Sequence, residues 1–193
     1  MNDHTLILEN VGKHISLSEE EKDYFVSLLY AKDFQRKEYL QREGSNSNHF
    51  TFITQGCVKS YLLDKRGEER ILTIAPVDWW VVDYMSFVFE KPGNLFIQAI
   101  ADTSTLVLTK EKRQDLLRKV PQFEQYFRVL TERAFAVSQQ RITDILSLTA
   151  AERFEKFCIQ YPSLTGTLSQ QQIASFIGVT PAFLSRMLKS KRK

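Results

Sequence analysis

Residues 169–193 read SQQQIASFIGVTPAFLSRMLKSKRK, and this stretch decides the fold. Ile173, Ala174, Ile177, Val179, Leu184 and Met187, with Gly178 among them, take the spacing of two short helices crossing over a tight turn. A close crossing needs a small inward residue, which Ala174 supplies. The turn needs a backbone that tolerates a positive φ, and Gly178 meets that need. Thr180 is placed to cap the second helix. Pro181 takes its first position, where a missing N–H costs nothing. The second helix then turns Ala182, Ser185, Arg186 and Lys189 outward. This is the pattern of a helix-turn-helix, whose second helix lies in the major groove of DNA.

Two amphipathic helices around a glycine also occur in ordinary helical cores, so charge has to separate the two readings. From residue 149 onward the chain carries seven Lys and Arg against two acids, Glu152 and Glu155, while the whole chain is only +3. A basic C-terminal unit on a near-neutral body is the electrostatic footprint of phosphate binding. A solvated tail gives a similar count, because four of the seven charges fall in the last five residues.

The remaining composition is ordinary for a globular protein, with 193 residues, 43% of them hydrophobic and 25% charged. That length suffices for a sizeable core in one or two domains. No apolar run approaches the ~18–20 residues of a membrane helix, so no membrane partner is expected. The start, MNDHTLILEN, lacks the basic and apolar regions of a secretory signal, and a cytoplasmic location is expected. Cys57 and Cys158 form no motif and read as small buried hydrophobes in a reducing compartment.

Ser18 and Glu21 form a capping box that opens a first helix, along which Tyr24, Phe25, Leu28 and Leu29 recur at helical spacing. After Lys37 the texture changes. Segments 50–54, 57–63, 69–75, 95–100 and 104–109 are short and rich in Phe, Ile, Val, Thr and Tyr. Gly44, Gly56, Gly67 and the Pro92-Gly93-Asn94 run punctuate them. This spacing predicts an antiparallel sandwich or roll. Between Gln122 and Tyr161 there is no Gly or Pro. Phe123, Phe127, Leu130, Ala134 and Val137 are spaced by four and three, and the stripe drifts on to Ile142, Ile145 and Leu146. A helix over 122–147 would be ~40 Å long. Its seam is expected to pack partly on its own body and partly on a second subunit. Thr149 and Glu152 form a second capping box, which implies a break near Leu148. The helix it opens points Phe154, Phe157, Cys158 and Tyr161 inward and stops at Pro162.

The order helix, β-roll, long helix, capped helix, helix-turn-helix resembles the cyclic-AMP receptor protein and fumarate–nitrate regulator (Crp/Fnr) superfamily of bacterial transcription regulators. The resemblance covers nearly the whole chain. It is carried by FTFITQGCVKSYLLDKRGEERILTIAP (residues 50–76), AERFEKFCIQYP and TPAFLSRMLK. The first of these holds Gly56, Asp64, Gly67 and Glu69 at the positions of the family's hairpin. The fold expected is therefore α+β. It comprises an N-terminal antiparallel β-roll of cyclic-nucleotide-binding type (1–120), a long connecting and dimerisation helix (121–148), and a C-terminal helix-turn-helix of winged-helix type (149–193). The chain ends soon after the recognition segment, and residues 162–169 are short for a hairpin wing.

The resemblance also implies an effector cassette. In it a short helix aims N–H groups at a cyclic phosphate, a Gly allows close approach, a Glu takes the ribose hydroxyl and an Arg-Ser pair holds the charge. The matching run here is Asp78-Trp79-Trp80-Val81-Val82-Asp83-Tyr84. Val82 stands at the Gly position and Asp83 at the Glu position. Pro92-Gly93-Asn94-Leu95-Phe96 covers the Arg-Ser position and contains no Arg. Losing a permanently charged fork removes the main attraction for phosphate, so cyclic AMP is not expected to bind in the family manner. Trp80, Val82, Asp83, Tyr84, Asn94 and Leu95 are the candidate effector residues. The aromatic run there reads first as core packing, and otherwise as a pocket for a more apolar effector or for none.

No catalytic or metal constellation accompanies these features. His4, His14 and His49 have no ligand spacing, and no nucleophile elbow or phosphate loop occurs. Neither an enzyme nor a cofactor is expected. The function expected is a sequence-specific, DNA-binding transcription regulator acting as a homodimer on double-stranded DNA. RNA polymerase is a further partner that the resemblance implies, with an unidentified small-molecule effector or none. The expected DNA contacts are Ser169, Gln170, Thr180, Pro181, Ala182, Ser185, Arg186 and Lys189. Arg186 is assigned to a guanine edge, and Pro181 and Ala182 to thymine methyls. The competing reading is a sensor or scaffold module whose DNA unit is vestigial.

Overall fold

A computed structural model describes residues 4–190, so the basic residues Lys191, Arg192 and Lys193 lie outside the described residues. The chain divides into two units. One joins Met1–Ser60 to Ile74–Glu132, and the other joins Tyr61–Thr73 to Arg133–Lys193.

The first unit opens with α1 (Thr5–Gly12) and α2 (Glu19–Ser27). The expected box starts α2: the Glu21 amide donates to Ser18 Oγ at 3.3 Å, and the Ser18 amide donates to Glu21 Oε2 at 2.8 Å. Eight strands follow, interrupted by one short helix. They are β1 (Tyr30–Phe34), β2 (Tyr39–Gln41), β3 (His49–Gln55), β4 (Cys57–Leu63), β5 (Glu69–Pro76), β6 (Trp80–Val81), then α3 (Tyr84–Phe89), β7 (Phe96–Ala99) and β8 (Thr103–Thr109). They make two four-stranded sheets, in the orders β1-β8-β3-β6 and β2-β7-β4-β5. The central pair β3–β8 is antiparallel, with Phe50 opposite Leu108 and Phe52 opposite Leu106.

All five anticipated strands are present. Three others carry no alternation to read: β1 buries only Phe34, β2 has three residues and β6 two. The helix α4 (Lys110–Lys119) was also unanticipated, because its sequence KEKRQDLLRK is mostly charged and buries only Leu116.

Phe50 and Phe52 from β3 and Leu106 and Leu108 from β8 face a helical layer. They join Ile7, Val11, Phe25, Leu116, Phe123, Tyr126 and Phe127 in the main core. Burying each such side chain contributes about 1.5–3 kcal/mol. A smaller cluster of Ile53, Val58, Ala75, Val81 and Ile97 forms a second core in this unit.

The long helix α5 (Gln122–Ser147) has the anticipated bounds. Its start is buried through Phe123, Tyr126 and Phe127. Farther along, Phe135 is 63% exposed and Leu146 82%, with Ile142 and Ile145 also exposed. Phe135, Ile142 and Ile145 follow heptad spacing, although the regular four-three stripe leaves Phe135 off.

The second unit continues with α6 (Ala150–Gln160), a 3-10 turn (Pro162–Leu164), α7 (Gln170–Ile177) and α8 (Pro181–Ser190). Thr149 caps α6 as anticipated: the Glu152 amide donates to its Oγ1, and its own amide donates to Glu152 Oε2. Phe157 and Tyr161 are buried, but Phe154 and Cys158 are only half-buried. The expectation of two buried thiols therefore holds for Cys57 alone, whose pKa burial pushes up to about 12.

Candidate nucleic-acid interface

The turn between α7 and α8 has the anticipated chemistry. Gly178 adopts φ +77°. Its following residue closes the turn, with the Val179 amide donating to Ala174 O at 2.9 Å. The Phe183 amide donates to Thr180 Oγ1 at 3.2 Å, which caps α8, and Pro181 is the first residue of that helix. Ala174 and Leu184 are fully buried, and Ile173 and Ile177 nearly so. The crossing is therefore held by apolar packing, and truncating a buried Leu such as Leu184 typically costs 2–5 kcal/mol.

With Leu184 turned inward, Pro181, Ala182, Phe183, Arg186 and Lys189 are exposed and Ser185 is half-buried at the edge. Gln170 is exposed at the start of α7. Ser169 is the cap of α7: its Oγ accepts the Gln172 amide at 3.2 Å, and its own amide donates to Gln172 Oε1 at 2.9 Å. This Ser-x-x-Gln box was readable at residues 169–172 but went unnoticed beside the glycine turn. Neither α7 nor α8 carries an acid.

The count of basic residues overstated this surface. Arg153 donates to Ile177 O at 2.8 Å and to Leu148 O at 2.6 Å, tying α6 to the end of α7 and to the break after α5. Lys156 pairs with Asp144 at 2.6 Å. Burial favours the neutral form of Asp144, but hydrogen bonds from Lys156 and Gln140 outweigh it and hold the carboxyl below its usual pKa. Among the described residues, Arg186 and Lys189 are the cations that α8 presents outward.

A second contact in this unit lies far apart in sequence. Ser175 Oγ donates to Glu69 O at 2.6 Å and accepts the Ile71 amide at 2.9 Å. Arg141 donates to Leu72 O, to Ile71 O at 2.7 Å and to Phe176 O at 2.7 Å, and its guanidinium lies 4.2 Å from the Phe176 ring centroid. Burial pushes its pKa down. The tip of the β4–β5 hairpin is thus latched to the first helix of the pair. The tip itself is shaped by Asp64, which accepts from the Glu68 and Arg66 amides and from Arg70. Those bonds hold its pKa below the usual carboxylate range.

The six candidate effector residues do not share one wall. Trp80 and Val82 pack against the main core. Trp80 Nε1 donates to Tyr126 OH at 2.8 Å, which in turn donates to buried Asn10 at 2.6 Å. Asn10 and Lys13 hold Asp78, whose φ is +71°. The Tyr84 hydroxyl lies 3.4 Å from Thr131 Oγ1, Asn94 is exposed and Leu95 half-buried.

Asp83 is fully buried. It caps α3 by accepting the Ser86 amide at 3.2 Å, and it accepts from Gln41 Nε2 at 3.1 Å. A Cβ on Gly93 would collide with Asp83 Oδ2. The Gly93 amide is taken up by Ser45 O, and Gln41 Oε1 is buried with no donor. An anion entering this turn meets a carboxylate and an amide oxygen, both acceptors, where it needs donors.

Comparison with known proteins follows the same division. Residues 31–120 match the family model of the cyclic nucleotide-binding domain. The chain is 25% identical over 186 residues to the Anaerobic regulatory protein of Haemophilus influenzae, covering 90% of this chain and 71% of that protein. Among solved structures, the c-di-GMP responsive global regulator CLP of Xanthomonas campestris superposes with a TM-score of 0.74 at 12% identity, covering 91% of this chain and 92% of that one. A Crp/Fnr family regulator from Eubacterium rectale gives 0.72 at 16% identity, covering 91% and 84%. The chain thus carries a cyclic nucleotide-binding domain at residues 31–120, resembles an anaerobic regulatory protein along most of its length, shares the fold of a Crp/Fnr family regulator, and ends in two helices that cross at a glycine turn.

Proposed function

We propose that this chain is a cytoplasmic transcription regulator that binds specific double-stranded DNA as a homodimer and does not respond to cyclic AMP. Residues 1–120 form its sensor-like body, 121–148 its connecting and dimerising helix, and 149–193 its DNA reader. The observation that carries this reading is the outward face of α8, where Arg186 and Lys189 stand exposed on a helix whose opposite side is locked by Leu184. Arg186 is suited to fork onto a guanine, with Ser185 beside it. Lys189, Gln170 and the caps Ser169 and Thr180 are suited to the phosphate backbone. The exposed stripe of Phe135, Ile142, Ile145 and Leu146 supports pairing with a second copy. Two readers so joined would span half-sites ~34 Å apart. RNA polymerase is a further partner that the family resemblance alone implies.

The cyclic-AMP part of the proposal is supported by the turn at Asp83, Gly93 and Gln41, which offers acceptors to an anion. An effector of another kind, or none, fits the same body. Because one structural relative is described as c-di-GMP responsive, a ligand panel should hold cyclic dinucleotides as well as cyclic mononucleotides and aromatic metabolites.

The test is selection of bound duplexes from a random pool, with and without cell extract. A twofold-symmetric motif is expected. Arg186→Ala should weaken the selected site by ~1–3 kcal/mol while sparing non-specific binding. Equal losses on both would make Arg186 a phosphate contact only. Absence of any enriched sequence would leave the scaffold reading in its place.

A further inference from the structure

We infer that Phe183 reads a thymine methyl group, so that each half-site holds a thymine within about two base pairs of the guanine contacted by Arg186. This rests on the DNA-reading function proposed above and names the sequence chemistry that function would select. Phe183 is 44% exposed, and among the described residues of α7 and α8 it is the one large apolar side chain turned to solvent. The crossing of the two helices does not use it, since Leu184 fills that place. Its backbone amide is fixed by the Thr180 cap, so the side chain leaves a well-ordered first turn. Pro181 and Ala182, also exposed, give that turn three consecutive side chains without a donor or acceptor.

The first turn of a recognition helix is the part that reaches base edges. A polar edge facing a phenyl ring loses its water and gains no partner. The apolar feature of the major groove is the thymine methyl, and apolar side chains, Phe included, contact it. Three residues along a helix advance ~4.5 Å, and base pairs stack ~3.4 Å apart, so Phe183 and Arg186 fall on adjacent or next-but-one pairs. Arg186 and Lys189, with no acid on either helix, keep this apolar patch within a surface suited to DNA.

The experiment uses the full chain and a duplex selected by the wild-type protein. Each half-site thymine near the Arg186-dependent guanine is replaced in turn by deoxyuridine, which removes only the methyl. Affinities are measured for the wild type and for Phe183→Ala, with thermal melting of both proteins as a folding control. At one position the wild type should lose about four-fold, the worth of one buried methyl. Phe183→Ala should lose at least as much on the thymine duplex and be indifferent to deoxyuridine there. Wild-type indifference to deoxyuridine at every thymine, or full sensitivity retained in Phe183→Ala, overturns this inference alone. Failure of the wild type to select any duplex overturns it together with the reading on which it rests.

Discussion

The turn around Asp83 and the helix α8 are the two places that the resemblance assigns to a ligand and to DNA, and they differ in what their side chains leave open. In the turn, Asp83 is buried against Gly93 and hydrogen-bonded by Gln41 and Ser86, so its oxygens are taken up by the chain's own groups. On α8, the inward side is equally well locked by Leu184, yet Arg186, Lys189 and Phe183 are left without cover. A resemblance over the whole chain says nothing about which of its sites stays open. The side chains at each site decide that, through what they already satisfy.

The contrast breaks first at Gly93. Gly93→Ala should cost about 1–3 kcal/mol in denaturant unfolding, because the added methyl displaces a buried carboxylate that also caps α3. A cost below about 0.5 kcal/mol would mean that the turn is roomier than described.

A smaller effect is expected where the β4–β5 hairpin meets α7. Ser175→Ala removes a donor to Glu69 O and an acceptor for the Ile71 amide, worth about 1 kcal/mol. Hydrogen exchange should rise at Ile71 while protection in the main core stays unchanged. Unchanged exchange at Ile71 would remove the latch from this account.

The smallest expected effect is none. Millimolar cyclic AMP should leave the melting temperature unchanged, since only a ligand that binds the folded state raises it. Stabilisation by several degrees, or calorimetric affinity in the micromolar range, would show the turn to be open.

Features written in adjacent residues were legible before the structure. The boxes at Ser18 and Thr149, the turn at Gly178 and the length of α5 each depend on residues within a few positions of one another. What escaped reading depends on distant partners. Asp83 in place of Glu looks like a mild replacement until Gln41, 42 residues away, and Gly93 are seen to enclose it. Ser175 looks like an ordinary helix residue until it meets Glu69, 106 residues back. Arg153 and Lys156 counted as surface charge, yet they are held by carbonyls and by Asp144. Phe183 escaped for another reason: an aromatic on a short amphipathic helix is ordinarily assigned to the core, and only the position of Leu184 turns it out.

The central claim is that α8 reads sequence, and one measurement bears on it most directly. The affinity of the full chain is determined at about 0.15 M salt for its best selected duplex and for the same duplex with both half-sites scrambled. A ratio of ~10³ or more is expected for a specific reader. Equal affinities, falling together as salt rises, would reduce α8 to a basic surface and contradict the account.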